Sequence, residues 1–255
     1  MEGGISVLLT ILLGFAVGLL TGATGIGSGT LLAPLLIVFL HLDPFISVGT
    51  DLFVTACTKG AGALMYGRAK SLYREILLPL CVFGIVGAVL ATAALFFLKY
   101  RIQGESAQPI LRHLIGGAIL VSAALMLLLG NQRVGTGGIT ARWYVCLVGA
   151  GVSAIATLTG VGTGSLAVPL LSFMRTRRPL PAIIGATLVF GLVIAVIGAS
   201  VHVFLGDVDY RLALVLLAGA LPGVAAGSII ATRASSALRP IIVIMLAITG
   251  VRLLV

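Results

Sequence analysis

The sequence predicts an all-α integral membrane protein made of two inverted structural repeats, with about 8–10 membrane segments that include two short Gly-interrupted hairpins. Composition, an internal repeat and the placement of basic residues carry that prediction. Of 255 residues, 60% are apolar and only 9% are charged, and mean hydropathy is +1.24. A soluble chain of this size needs far more charge to cover its surface, so lipid must replace water over most of it. The 34 glycines suit that solvent, because small residues let membrane helices approach closely.

Apolar runs between polar breaks give ten segments. The first repeat, 1–140, holds 5–20, 31–40, 48–66, 76–98 and 114–129; the second, 141–255, holds 143–158, 165–174, 182–205, 212–230 and 241–254. Segment 5–20 follows Met-Glu-Gly-Gly, which lacks the basic start of a cleaved signal, so it is expected to stay in the mature protein. Segments 31–40 and 165–174 would each rise only about 15 Å as helix, half a hydrocarbon core, and are too short to span upright. Both halves therefore follow one pattern of a medium segment, a very short one, then three others.

Residue identities confirm the repeat. Residues 24–36 (TGIGSGTLLAPLL) align with 159–171 (TGVGTGSLAVPLL) at a constant offset of 135, with glycines and proline in register. Gly14 pairs with Gly149 at that offset; Gly49 pairs with Gly185 and Tyr73-Arg74 with Tyr210-Arg211 after slips of one and two residues. Loop charges give the orientation. If each medium and short pair returns to its starting side, one face carries Arg68, Lys70, Arg74, Arg133, Arg142, Arg175, Arg177, Arg178, Arg233 and Arg239. The other carries Lys99, Arg101, Arg112, Arg211 and Arg252. That bias puts the first set in the cytoplasm and both termini outside, in a bacterial inner membrane. Each half then crosses an odd number of times, which makes the second half inverted.

The same pattern disposes of other readings. A net charge of +9 can signal nucleic acid, but here the basic residues sit in short loops between apolar segments, as membrane topology requires. Cys57, Cys81 and Cys146 lie in apolar segments without CxxC spacing, so they read as small buried hydrophobes and not as disulfides or metal ligands. No P-loop, His-Glu-x-x-His or paired catalytic carboxylate is present. An intramembrane serine protease would need Gly-x-Ser-Gly, but Ile26 stands two residues before Ser28. No cofactor is expected, and the expected partners are a small anion, the lipid bilayer and a possible second copy of the chain.

Short, Gly-interrupted segments at matching places in two repeats are the best sequence pointer to a transport site. Here they are Gly25, Gly27, Ser28, Gly29 and Thr30 in one half, and Gly160, Gly162, Thr163, Gly164 and Ser165 in the other. Glycine lets a ligand approach the main chain, and the N-terminal N–H groups of the two short helices face the break, which suits an anion. A single such motif would read as helix packing and capping; its recurrence beside two half-length segments favours a substrate site.

Residues 21–29 (TGATGIGSG) leading to Pro34, and 159–164 (TGVGTG) leading to Pro169, resemble the doubled Gly-rich motif of the TauE/SafE sulfite-exporter family. Residues 48–52 (VGTDL) with Thr58-Lys59 resemble a stretch of one branch of it. The resemblance covers nearly the whole chain and implies a secondary transporter exporting sulfite or a small organosulfonate. Two departures stand out: the middle glycine of each triplet is Ser28 or Thr163, and the second half has no counterpart of Asp51 or Lys59. A passive anion channel is the nearest alternative.

Asp51 and Lys59 are ionisable residues inside a predicted span, where charge is costly and usually functional or paired. Eight residues apart on a helix, they lie roughly 12 Å apart along the axis, too far for a direct ion pair. Lys59 is a candidate to hold the anion; Asp51 is a candidate for a coupling proton, or else a cap for its helix. His202, near the end of its segment, is either an interfacial residue or a second proton group.

Overall fold

The computed structural model describes residues 7–24, 28–66, 74–101, 107–128, 142–172 and 180–254. Nearly all of those residues form helices: α1 (Val7–Thr24), a single 3-10 turn (Ser28–Thr30), α2 (Leu32–Leu40), α3 (Pro44–Tyr66), α4 (Arg74–Arg101), α5 (Ala107–Leu128), α6 (Arg142–Thr159), α7 (Thr163–Ser172), α8 (Leu180–Leu205) and α9 (Tyr210–Leu254). Among the described residues, five stretches are long and apolar enough to cross a membrane: Glu75–Phe97, Gln108–Leu128, Arg142–Thr159, Gly185–Leu205 and Tyr210–Ile230. Their outward faces carry bare hydrocarbon, with Leu78, Val86, Leu90, Leu147, Phe204 and Leu214 all exposed. In water that surface would aggregate; in lipid it is solvated. The thiols follow the same division: Cys57 lies on an exposed face, not buried as the sequence suggested, and Cys81 and Cys146 are half-buried.

Segments nine and ten are joined as the one helix α9, which carries Pro222 and Pro240. As a straight rod its 45 residues would extend about 67 Å, twice the hydrocarbon core. Its ends lie far closer than that. Tyr210 at the start stacks edge-on against Phe53 at 5.8 Å, while Arg252 near the end lines a cavity with Asp43 and Pro44, the first residues of α3. The helix therefore doubles back between two arms, one being the candidate span Tyr210–Ile230 and the other Pro240–Leu254. Pro240 stands where the second arm begins, and proline removes a helical hydrogen bond there.

Glycine decides which helices pair. Gly14, Gly18 and Gly22 of α1 sit four residues apart, as do Gly219, Gly223 and Gly227 of α9, so each set forms one stripe. A β-carbon at Gly14, Gly18 or Gly22 would fall on the carbonyl of Leu216, Ala220 or Val224 in turn. The two backbones thus touch, and the ascending order of partners makes α1 and the first arm of α9 parallel. The other half repeats this contact: Gly149 of α6 meets the Leu80 carbonyl of α4, and Gly87 of α4 meets Ala150 and Ser153 of α6. Helix α1 thus packs on a helix from the second half of the chain, and α6 on one from the first.

Both short helices turn back. The Tyr144 hydroxyl, at the start of α6, donates to the Leu170 carbonyl near the end of α7 at 3.0 Å. In the first half α2 leads within three residues into α3, whose Thr50 accepts from the Asp209 N–H at 3.1 Å, level with the start of α9 and so of α1. Helix α3 starts at Pro44 with Asp43 as its cap; the Asp43 carboxylate accepts from the Phe45 and Ile46 N–H groups at 2.8 and 3.4 Å. Asp51 lies two turns further in, so it does not cap α3.

Candidate functional site

The tips of the two hairpins meet in the interior. Thr30, in the 3-10 turn before α2, donates its hydroxyl to Ser165, in the first turn of α7, at 3.2 Å. These two residues are 135 apart, the offset of the sequence repeat, so equivalent atoms of the two halves touch. Both are fully buried. The Ser165 hydroxyl in turn donates to the Gly162 carbonyl at 2.8 Å. A β-carbon on Gly29 would lie 2.8 Å from the Gly160 carbonyl, and one on Gly162 would lie 2.5 Å from the Thr30 hydroxyl. Only glycine permits that approach. Gly160 has a second reason to be glycine, its left-handed φ of 71°, a conformation side chains resist.

Helix α3 runs beside this junction and supplies its charge. Asp51, Thr55 and Lys59 lie at intervals of four, which puts them along one face. The Lys59 ammonium, 3% exposed, donates to the Thr163 hydroxyl at the start of α7 at 2.9 Å. Room for it comes from Gly191 of α8, where a β-carbon would fall on the ammonium and on the Thr163 hydroxyl. One Asp51 oxygen accepts from the Thr55 hydroxyl at 3.3 Å. The other, Oδ2, has no hydrogen-bond partner among the described residues. It faces both breaks, 3.3 Å from where a β-carbon would stand on Gly29 and 3.1 Å from the same point on Gly160.

Of the residues singled out from sequence, Gly29, Thr30, Gly160, Gly162, Thr163 and Ser165 come together with Asp51 and Lys59. Gly164 is buried in the first turn of α7. Gly25, Gly27 and the side chain of Ser28 lie outside the described residues. His202 belongs elsewhere. It is buried in the last turn of α8, against Gly49, with Nδ1 3.7 Å from the Asp207 carboxylate beyond the helix end. The sequence reading missed Thr55 and Gly191. Thr55 was legible as the middle member of the i, i+4, i+8 series from Asp51 to Lys59; Gly191 was not, because nothing in a chain one-seventh glycine marks which glycine faces a lysine on another helix.

The two inward-folded hairpins thus meet in a buried polar junction bounded by one ammonium, one carboxylate and several hydroxyls. Residues 10–253 match the family described as sulfite exporter TauE/SafE. The chain belongs to that family. It is also similar to the probable membrane transporter protein YjnA of Bacillus subtilis (strain 168), at 31% identity over 249 residues covering 93% of this chain and 94% of that protein. A second Bacillus subtilis (strain 168) protein, the probable membrane transporter YdhB, is 25% identical over 225 residues, 87% of this chain and 89% of its own. A probable membrane transporter of Xylella fastidiosa (strain 9a5c) is 27% identical over 237 residues, 88% and 83% of the two chains. This TauE/SafE member is therefore a multi-pass membrane transporter and not an enzyme.

Proposed function

We propose that the protein is a secondary transporter that carries a small sulfur-containing anion, sulfite or an organosulfonate, between the two hairpin tips. Export is the direction the family description names. The observation that carries this reading is the Thr30–Ser165 hydrogen bond across the repeat offset, with Lys59 held at the adjoining helix start by Thr163. The ammonium supplies the counter-charge, and the Thr163 hydroxyl, which accepts from Lys59 and keeps its own proton, supplies a donor to an oxyanion together with the first N–H groups of α7. His202, remote from the tips, has no part in holding it.

The two halves work as inverted repeats. Supporting this, helices equivalent under the repeat cross antiparallel. In α3 and α8, Gly49 meets His202, Leu52 meets Gly198 and Lys59 meets Gly191. In α5 and the second arm of α9, Gly116 meets Leu253 and Leu120 meets Gly250. An axis in the membrane plane reverses each helix in this way, whereas an axis along the normal would leave equivalents parallel. Because Thr30, Lys59, Thr163 and Ser165 are all buried, the anion reaches them only when one half moves against the other, which is carrier behaviour.

The test is a thermal-shift and proteoliposome-flux panel of sulfite, sulfate, thiosulfate, taurine and sulfoacetate, followed by counterflow with the best binder. A carrier shows uptake stimulated by substrate on the far side. Flux without any such stimulation would make the protein a channel, and binding of none of the five would remove the sulfur-anion assignment.

A further inference from the structure

Resting on that transport reading, we infer that Asp51 Oδ2, the Thr55 hydroxyl and the Gly160 carbonyl form a site for a monovalent coupling cation, a proton or a sodium ion, which binds together with the anion held at Lys59. All three oxygens converge on one side of Gly29, lying 3.3, 3.1 and 2.8 Å from where its β-carbon would stand. Such oxygens from a broken membrane helix and a neighbouring carboxylate are hard, polarised donors, the kind that hold hard monovalent cations.

Charge balance makes the coupling necessary. Asp51 is 0% exposed and Lys59 3%, and each is hydrogen-bonded to a hydroxyl of its own, Thr55 and Thr163. With no anion present, one carboxylate and one ammonium in the same interior sum to zero. An anion arriving at Lys59 leaves the interior with a net negative charge in a low-dielectric medium, which is expensive. A cation on the unpartnered Asp51 oxygen restores neutrality. Among the described residues of the breaks and of the helices beside Asp51, no other group supplies that charge. The 3-10 turn, α2 and the break before α7 carry no titratable side chain. His202 of α8 and Asp207 sit against Gly49, facing each other. Tyr210 and Asp209 at the start of α9 contact Phe53 and Thr50 on other faces of α3.

Cation and anion therefore move in the same direction, and net transport follows their summed gradients. Export proceeds when the outward anion gradient exceeds the inward cation gradient.

Wild-type, Asp51→Asn and Thr55→Val proteins are reconstituted in liposomes and assayed with radiolabelled sulfite and sulfoacetate. Counterflow is measured first without a cation gradient, then accumulation under a tenfold pH gradient or a tenfold sodium gradient. One cation per hydrogensulfite ion gives roughly tenfold accumulation in the wild type, since each tenfold ratio is about 1.4 kcal/mol; sulfoacetate, a dianion, serves for the counterflow measurement. Asp51→Asn keeps the side-chain shape without the charge, and whatever flux it retains should no longer respond to either gradient, so accumulation falls to unity. Thr55→Val, which removes one of the three oxygens, should need a higher cation concentration to reach the same accumulation. Collapse by a protonophore assigns the proton, and loss on replacing sodium by choline assigns sodium. Accumulation that survives in Asp51→Asn, or wild-type counterflow that neither gradient drives, overturns the cation site alone. Counterflow of neither anion overturns the transport reading itself and this site with it.

Discussion

Replacing Gly191 by alanine adds one methyl group where the Lys59 ammonium and the Thr163 hydroxyl meet. The methyl and the ammonium cannot share that volume. Lysine yields first, because its terminal atom swings on a long flexible stem and the α8 backbone is locked in helix. What is lost is the 2.9 Å bond from Lys59 to Thr163 and with it the placement of the positive charge. A hydrogen bond to a charged group contributes about 1.5–3 kcal/mol, which converts to a ten- to hundredfold loss of anion affinity. Folding should suffer little, because alanine is favoured over glycine within a helix by about 1 kcal/mol and offsets part of the crowding. The assay is a double-mutant cycle on sulfite affinity in proteins first shown monodisperse by chromatography. Lys59→Ala alone should cost as much as Gly191→Ala, and the double variant little more than either, because both remove one contact. Additive losses would mean that Gly191 acts on the site by another route. An unchanged affinity in Gly191→Ala would refute the placement of Lys59.

Three further outcomes follow from the same geometry. Alanine at Gly18 or Gly223, where a β-carbon strikes the carbonyl of Ala220 or Phe15, should lower stability by about 1–3 kcal/mol through overpacking; alanine at Gly117 or Gly151, which have open space, should be neutral or slightly stabilising, and thermal unfolding compares the two pairs. Gly160→Ala, forced to keep φ near 71° and set against Asp51 Oδ2, should abolish flux while leaving a folded protein, as counterflow and chromatography will show. Reporter fusions after Arg142 should read cytoplasmic and fusions at Val255 external; a cytoplasmic C-terminus would discard the topology drawn from loop charge.

The primary structure determined the solvent, the segments and the breaks. Hydropathy identifies lipid as the surroundings because transfer of apolar side chains is a local and additive property. Helix ends fall where glycine, proline and charge interrupt the apolar runs, which is again local. The repeat at offset 135 told which residues are equivalent, and so which two breaks belong together. It did not tell that Thr30 and Ser165 themselves would touch; that depends on where the symmetry axis passes, which is set by packing. Nor did it distinguish the glycines of the α1–α9 stripe, which let backbones meet, from Gly191, which makes room for an ammonium, because a missing side chain leaves the same letter whatever fills its place. Lys59 shows the division most clearly. Its cost in a membrane marked it as a candidate from the sequence alone, but its partner stands 104 residues away at Thr163. Only the antiparallel crossing of α3 and α8, and the return of α7 beneath it, brought the two together.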